Sequence, residues 1–358
     1  MKQWQLEEVE ALRGFAVEWS DGDRLFLSRR NQLFELAAGS DVPRKIGTIP
    51  AGALRSLVAR FRLGQRLLRF LVFNLLPTAP GEFLVTFGKE IGVLRGDRYF
   101  PLQGIRQPTR VLRQGIVQAA DGCVYWGEYI PNLQRQDIAV YRYRPGADRA
   151  EIAHLFPAGA VRHVHGIYRD PFDDPNTLWC LCGDLPHECQ FLRTRDGFQT
   201  LEAVWEGDET WRAVSAQFTA KGIYYGSDAE FRENCLYRID RADGSRQVIQ
   251  TLDGPVYYSK TIGDHLFFAT TAELCPSQTE NVASLWCVDP DDRVERIFHA
   301  YKDFVQPDKK YGKKPLSALL FMHGTLHFPG GPGIDGETFL SLVGLTGYDH
   351  RVLRVFAG

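Results

Sequence analysis

Ile223-Tyr224-Tyr225-Gly226-Ser227-Asp228 is a short apolar strand that ends in small residues and then an acid. The same phrase recurs as Phe83-Leu84-Val85-Thr86-Phe87-Gly88-Lys89-Glu90 and Val124-Tyr125-Trp126-Gly127-Glu128. It returns as Leu178-Trp179-Cys180-Leu181-Cys182-Gly183-Asp184 and as Leu266-Phe267-Phe268-Ala269-Thr270-Thr271-Ala272-Glu273. The interval is about 40 to 55 residues. Short strands repeating at roughly 40 to 50 residues predict a β-propeller. In such a ring the equivalent strand ends of every blade meet at one mouth of a central channel. Residues far apart in the chain then become neighbours.

Period-2 alternation and turn residues divide each repeat into four strands, A to D. The clearest blade covers 161–207, with strands at 162–168, 178–183, 189–194 and 200–205. Further blades fit 211–253, 255–302 and 316–356, and upstream 14–50, 67–105 and 115–157. The count is seven, with six as the runner-up because the first two blades are poorly marked. The segment from Trp4 to Val9 is placed to add an outer strand to the last blade.

The 358 residues are read as a single propeller domain, because repeat arrays run long. A net charge of -2 gives no reason to expect nucleic acid as a partner. The N-terminal residues lack the apolar region of a secretory signal, and no run reaches the roughly 18 apolar residues of a membrane span. Seven cysteines in no framework spacing favour a reduced, cytoplasmic setting. A monomer or weak homo-oligomer is expected. One stretch breaks the repeat: residues 51–76 mix Arg55, Arg60, Arg62, Arg66 and Arg69 with leucines and phenylalanines. Its helical spacing fits peripheral contact with a membrane surface. The favoured reading is the inner strand of blade two plus a short helix that caps the ring.

Strand A leaves the mouth and strand B returns to it, so A-strand starts and B-strand ends share one face. The B ends carry Glu90, Glu128, Asp184, Asp228 and Glu273. The A starts carry Arg113, His163, His165, Arg212, Tyr257 and Tyr258. Acids, imidazoles, phenols and guanidinium groups together are what acid/base work on a polar substrate needs. A small residue followed by an acid is also ordinary turn chemistry. His163 and His165 lie two apart on a strand and point the same way, into a water-filled channel. They fit a general base and its partner. No cofactor is required, although a divalent metal on His163 and His165 with His187 or an acid as third ligand also fits. Only one of Tyr257 and Tyr258 can look into the channel, and Tyr258 is the choice. Histidines 154, 265, 299, 323, 327 and 350 are assigned to structure, His327 at a B-strand end being the least settled.

Thr194-Arg195-Asp196-Gly197-Phe198-Gln199-Thr200-Leu201 resembles the Asp-box of sialidase-like propellers, Ser-x-Asp-x-Gly-x-Thr-Trp. Thr194, Asp196 and Thr200 match in place, whereas Phe198 stands for Gly and Leu201 for Trp. The stretch from Arg162 to Asp240 is similar to bacterial sialidase-like (BNR-repeat) glycosyl hydrolases. The resemblance implies a carbohydrate-active enzyme that cleaves a glycosidic bond of a polysaccharide or oligosaccharide. Its carboxylates would come from Glu128, Asp184, Asp228 and Glu273. Arg113, Arg212, Tyr257 and Glu90 would bind substrate. A third arginine of a sialidase triad is not obvious, and Arg162 is expected to point away from His163, so sialic acid is not the expected sugar. The His/Tyr set with arginines also resembles propeller-type polysaccharide lyases. There His163 or His165 would be the base, Tyr258 the acid, and Arg212 would neutralise the uronate. A non-catalytic glycan-binding or scaffold propeller is the third reading, because fold alone does not decide function.

Overall fold

The computed structural model describes residues 2–311, 316, 322–332 and 336–358. Seven four-stranded antiparallel sheets form the blades of a propeller. Their innermost strands are Ala16–Ser20, Val72–Ala79, Ile116–Gln118, Val164–Arg169, Ala213–Phe218, Val256–Ile262 and Thr325–His327, which number blades one to seven. The N-terminal strand Trp4–Glu8 is the outer strand of blade seven, pairing antiparallel with Arg351–Ala357. This closes the ring by joining the two chain ends in one sheet. The expected start of blade seven, 317–321, lies outside the described residues. His327 sits on the innermost strand of that blade and not at a B-strand end.

The second strands of blades three to six are short, rich in aromatic and branched residues, and buried on both sides, as suits a pleated surface inside the ring. Apolar side chains of adjacent blades interlock. Between blades four and five, Trp179, Trp205, Trp211, Tyr225 and Tyr237 stack in a run of near-parallel rings. The guanidinium of Arg246 lies 3.8 Å from the Trp211 ring centroid, a contact that adds to the packing. All seven cysteines are free and buried, with the Cys180 and Cys182 sulfurs 3.6 Å apart.

The irregular stretch after blade one forms two short helices, Ala53–Val58 and Arg62–Leu68, and then enters the inner strand of blade two at Val72. Arg66 is buried there and pairs with Asp303, which anchors the second helix. Among the described residues no helix is long and apolar enough to cross a membrane.

Strand direction places the two faces as expected. Arg195, in the C–D turn of blade four, pairs with Asp173 in its A–B turn at 3.0 Å. Asp196 therefore belongs to the face opposite the B-strand ends. It accepts from the Thr200 hydroxyl at 2.6 Å and from the Thr200 amide at 2.9 Å, which ties the turn.

Candidate active site

A cavity of about 620 Å³ opens at the mouth where the B strands end. His163, Asp184, Arg212, Asp228, Tyr257 and Glu273 line it, contributed by blades four, five and six. So do Lys89, Arg110, Tyr129 and Glu230, which the repeat reading passed over, and Arg69, Arg162 and His323, which it had assigned elsewhere.

Its densest part is a cluster of two imidazoles and a carboxylate. His163 Nε2 and His165 Nε2 lie 3.1 Å apart. Asp184 faces both, with Oδ2 3.4 Å from His163 and Oδ1 3.3 Å from His165. The other nitrogen of each ring is committed. His163 Nδ1 is 3.0 Å from the Ile130 carbonyl oxygen, and His165 Nδ1 is 2.9 Å from that of Ala213. A carbonyl oxygen only accepts, so both Nδ1 atoms carry the proton. In neutral rings both Nε2 atoms then present lone pairs to each other and to a carboxylate. Such an arrangement repels itself unless a cation sits among the three groups.

Proton and metal ion are the two candidates for that cation. Burial pushes His163 down toward its neutral form, against the pull of Asp184. For Asp184, burial acts upward, but the two neighbouring imidazoles, when they carry a proton on Nε2, outweigh it and hold the carboxyl well below the usual range, so the carboxylate is ionised with either cation. A neutral imidazole beside an ionised carboxylate is a metal-ligand state. The spacing fits as well. Ligand atoms about 2.1 Å from a common ion lie roughly 3.0 to 3.4 Å apart in octahedral or tetrahedral geometry. Each ring also donates its second N–H to a backbone carbonyl, the outer support that orients metal-bound histidines. His163, His165 and Asp184 can thus hold a divalent cation. His187, the third ligand considered from sequence, is exposed and lies outside this group.

Two arginines brace the cluster. Arg162 donates from Nη1 to Asp184 at 2.8 Å and from Nε to the Pro131 carbonyl at 2.9 Å. The expectation that it points away fails because Arg162 precedes the strand, where alternation does not apply. Arg212 donates from Nε to Asp228 at 3.0 Å and lies 3.7 Å from Asp184. Beside the cluster, the Tyr129 ring centroid is 4.2 Å from that of His163.

Asp228 is the unusual acid. Its Oδ2 is held by Arg212, while Oδ1 is buried without a hydrogen-bond partner. Burial pushes its carboxyl up; Arg212 opposes this, and neighbouring Glu273 and Asp184 add to it, so it titrates near pH 7. A carboxyl poised there can take or give a proton. Tyr257 lines the same cavity, and burial with nearby Glu273 and Asp228 keeps its phenol protonated. His323 Nε2 is 3.8 Å from Glu273.

Several sequence-selected residues stand elsewhere. Glu128 ends its strand at this mouth, but its side chain turns into blade three, accepting from the Ala139 amide at 2.9 Å and the Tyr141 hydroxyl at 2.8 Å. Glu90 opens the third strand of blade two, is exposed, and lies 3.6 Å from Arg55. The residue after the small one in that blade is Lys89, so Lys89 takes the position that acids hold in other blades. Arg113 is buried in an ion pair with Glu18 and donates to the Val72 carbonyl at 2.6 Å, away from the cavity. Tyr258 packs in the core between blades six and seven, 5.0 Å from the His327 ring, and Tyr257 takes the place at the cavity. His165 is nearly fully buried, at 2% exposure, and is not a channel-facing surface group.

A bulge explains the tyrosine reversal. The inner strand of blade six slips register between Val256 and Tyr258, leaving Tyr257 unpaired. Blade four does the same between Val164 and Gly166, which leaves His165 unpaired. Bulges re-aim side chains near functional sites, and nothing in these residue types announces one.

No family model matches the chain, and no curated protein matches it. Solved structures do resemble it. An oligogalacturonate lyase in complex with manganese aligns with a TM-score of 0.59 at 9% identity, covering 99% of this chain and 96% of that one. The oligogalacturonate lyase of Vibrio parahaemolyticus gives 0.58 at 8% identity, covering 100% and 97%. A GH74 enzyme of Niastella koreensis gives 0.51 at 9% identity, covering 81% of this chain and 46% of that one. At these identities the likeness establishes the propeller fold. It also corrects the expected kinship with sialidase-like, Asp-box propellers, since the full-length neighbours are of another kind. The Thr194–Thr200 turn carries a local tie that a polar turn can make in any fold.

Proposed function

We propose that this protein is a divalent-cation-dependent enzyme that cleaves an acidic oligosaccharide by β-elimination. The observation that carries the reading is the convergence of two Nε2 lone pairs and the Asp184 carboxylate, each ring fixed by a backbone carbonyl. Two full-length structural neighbours are oligogalacturonate lyases, one in complex with manganese, which agrees with the reading at the level of fold.

A cation held by His163, His165 and Asp184 would draw charge from a bound uronate carboxylate and so acidify the proton on the adjacent carbon. The chain's own groups supply the rest. Arg162 and Arg212 hold Asp184 and Asp228 in place. Asp228, as carboxylate, accepts the proton through its unpartnered Oδ1. The bond to the glycosidic oxygen then breaks as a carbon–carbon double bond forms. Tyr257, whose phenol is held protonated, donates a proton to the departing oxygen. Solvent afterwards restores both groups.

The test is to incubate the protein with Mn²⁺ or Zn²⁺ and uronate oligosaccharides and to record ultraviolet absorbance. Elimination creates a double bond conjugated to the carboxylate, which absorbs. New reducing ends without that absorbance would mean hydrolysis and would overturn the elimination step. Turnover that survives a chelator would overturn the cation.

A further inference from the structure

The cavity has two electrical poles. Asp184, Asp228, Glu230 and Glu273 lie on the side of blades four to six, and Arg69, Lys89 and Arg110 on the side of blades two and three. The cations of the first side are neutralised: Arg162 and Arg212 both pair with acids. Buried arginines away from the cavity are paired too, Arg66 with Asp303 and Arg113 with Glu18. Arg69, Lys89 and Arg110 make no ion pair and no side-chain hydrogen bond among the described residues.

Arg110 is the most telling of the three. Its Nε is buried without a partner. Burial, and next the nearby charge of Arg69, act against its protonated form. Two like charges share a partly desolvated wall, an arrangement that destabilises the empty protein. The backbone nevertheless fixes Arg110: its amide donates to the Tyr129 carbonyl, and the Tyr129 amide donates back, both at 3.2 Å. Tyr129 in turn packs on His163. The unpaired guanidinium is thus held at a set place relative to the two-histidine cluster. Arg69 is similarly fixed, as the left-handed cap that ends the second helix, with φ 48°. Unpaired cations on a rigid wall of a cavity are a preorganised site for an oxyanion.

We infer that Arg69, Lys89 and Arg110 form a second anion subsite, which takes an acidic group on the sugar next to the one being cleaved. This rests on the reading of the cavity as an acidic-oligosaccharide site. The bound group is a carboxylate or a sulfate ester, which share this chemistry. The inferred substrate class is a chain charged on successive units, in preference to a sugar bearing one acid.

Thermal melting and calorimetry on the wild type, Arg110→Met and Lys89→Met test this, with Mn²⁺ present throughout. The probes are inorganic sulfate, a diuronate, a sulfated disaccharide and a neutral disaccharide of the same linkage. In the wild type, sulfate and one charged disaccharide should raise Tm, and the neutral one should not. Whichever charged disaccharide binds tighter identifies the group. Arg110→Met should melt higher than wild type without anion, since it relieves the repulsion, and should lose the anion-induced rise. Its affinity for the charged disaccharide should fall about tenfold or more, as loss of a charge-assisted pair implies. Lys89→Met, an exposed position, gives the same direction if Arg110→Met does not fold. A variant that melts lower and still responds to anions overturns the subsite, as does a wild type indifferent to every anion. A response to sulfate that Arg110→Met abolishes, with neither charged sugar bound, keeps the subsite and overturns the oligosaccharide reading.

Discussion

Glu128 and Asp228 end equivalent strands, two blades apart, each after a small residue. The ring brings both to the same mouth, yet their surroundings differ. Both Glu128 oxygens are occupied within its own blade, by the Ala139 amide and the Tyr141 hydroxyl. Asp228, which lines the cavity, has one oxygen on Arg212 and the other buried without a partner. Position in the repeat fixes where an acid sits. The groups it meets there fix whether it braces the fold or stays available for chemistry. A buried polar atom left unpaired is costly, and its retention at Asp228 marks a place where stability has been given up.

Substitution at the two acids should therefore give opposite patterns. Asp228→Asn should slow turnover by about 100-fold or more, the usual contribution of a general base, with no loss in Tm. Glu128→Gln should keep turnover per folded molecule and lose about 1–3 kcal/mol of stability, because an amide has one acceptor oxygen where the Ala139 N–H and the Tyr141 O–H both donate. Measuring rate and Tm on the same preparations decides it; the reverse pattern would break the comparison. The adjacent tyrosines sharpen it. Tyr257→Phe should reduce turnover about 10- to 100-fold, and Tyr258→Phe should leave it nearly unchanged. Equal losses would mean that the bulge at Tyr257 does not aim the phenol as described.

The pH dependence follows from the raised titration point of Asp228. As a base it works ionised, so turnover should fall about tenfold per unit below pH 7 and level off above it. Stability should run the other way. The folded protein holds this proton more tightly than the unfolded chain, so the Asp228 contribution to stability falls as pH rises from about 4 to about 7. Asp228→Asn should remove both trends; a wild-type rate that is flat across pH 7 would count against Asp228 as base. The smallest effect is expected at Glu90→Gln, within about 0.5 kcal/mol and without change in rate, as for most exposed positions.

Blade number and strand order were legible because they depend on periodicity and turn chemistry; how the ring closes was not, although the segment from Trp4 to Val9 was a candidate outer strand. The placement of His163, Asp184, Arg212, Asp228 and Glu273 at one mouth followed from strand direction. Orientation was not legible where the backbone departs from regular alternation. Tyr257 and His165 sit at bulges, and Arg162 lies just before its strand. Arg69 and Arg110 sit outside the four-strand repeat altogether, one on a helix cap and one on a loop before blade three. Lys89 had a usable signal: it follows Gly88 as Asp184 follows Gly183. Glu128 had none, since its partners Ala139 and Tyr141 belong to the next strand over.

The most direct test of the account is calorimetric titration of Mn²⁺ or Zn²⁺ into chelator-treated protein. One saturable cation per chain is predicted, bound about tenfold or more weakly in Asp184→Asn and in His165→Ala, as loss of a ligand exceeds loss of its outer support. No saturable binding, or the same affinity in wild type and both variants, would contradict a metal site at His163, His165 and Asp184.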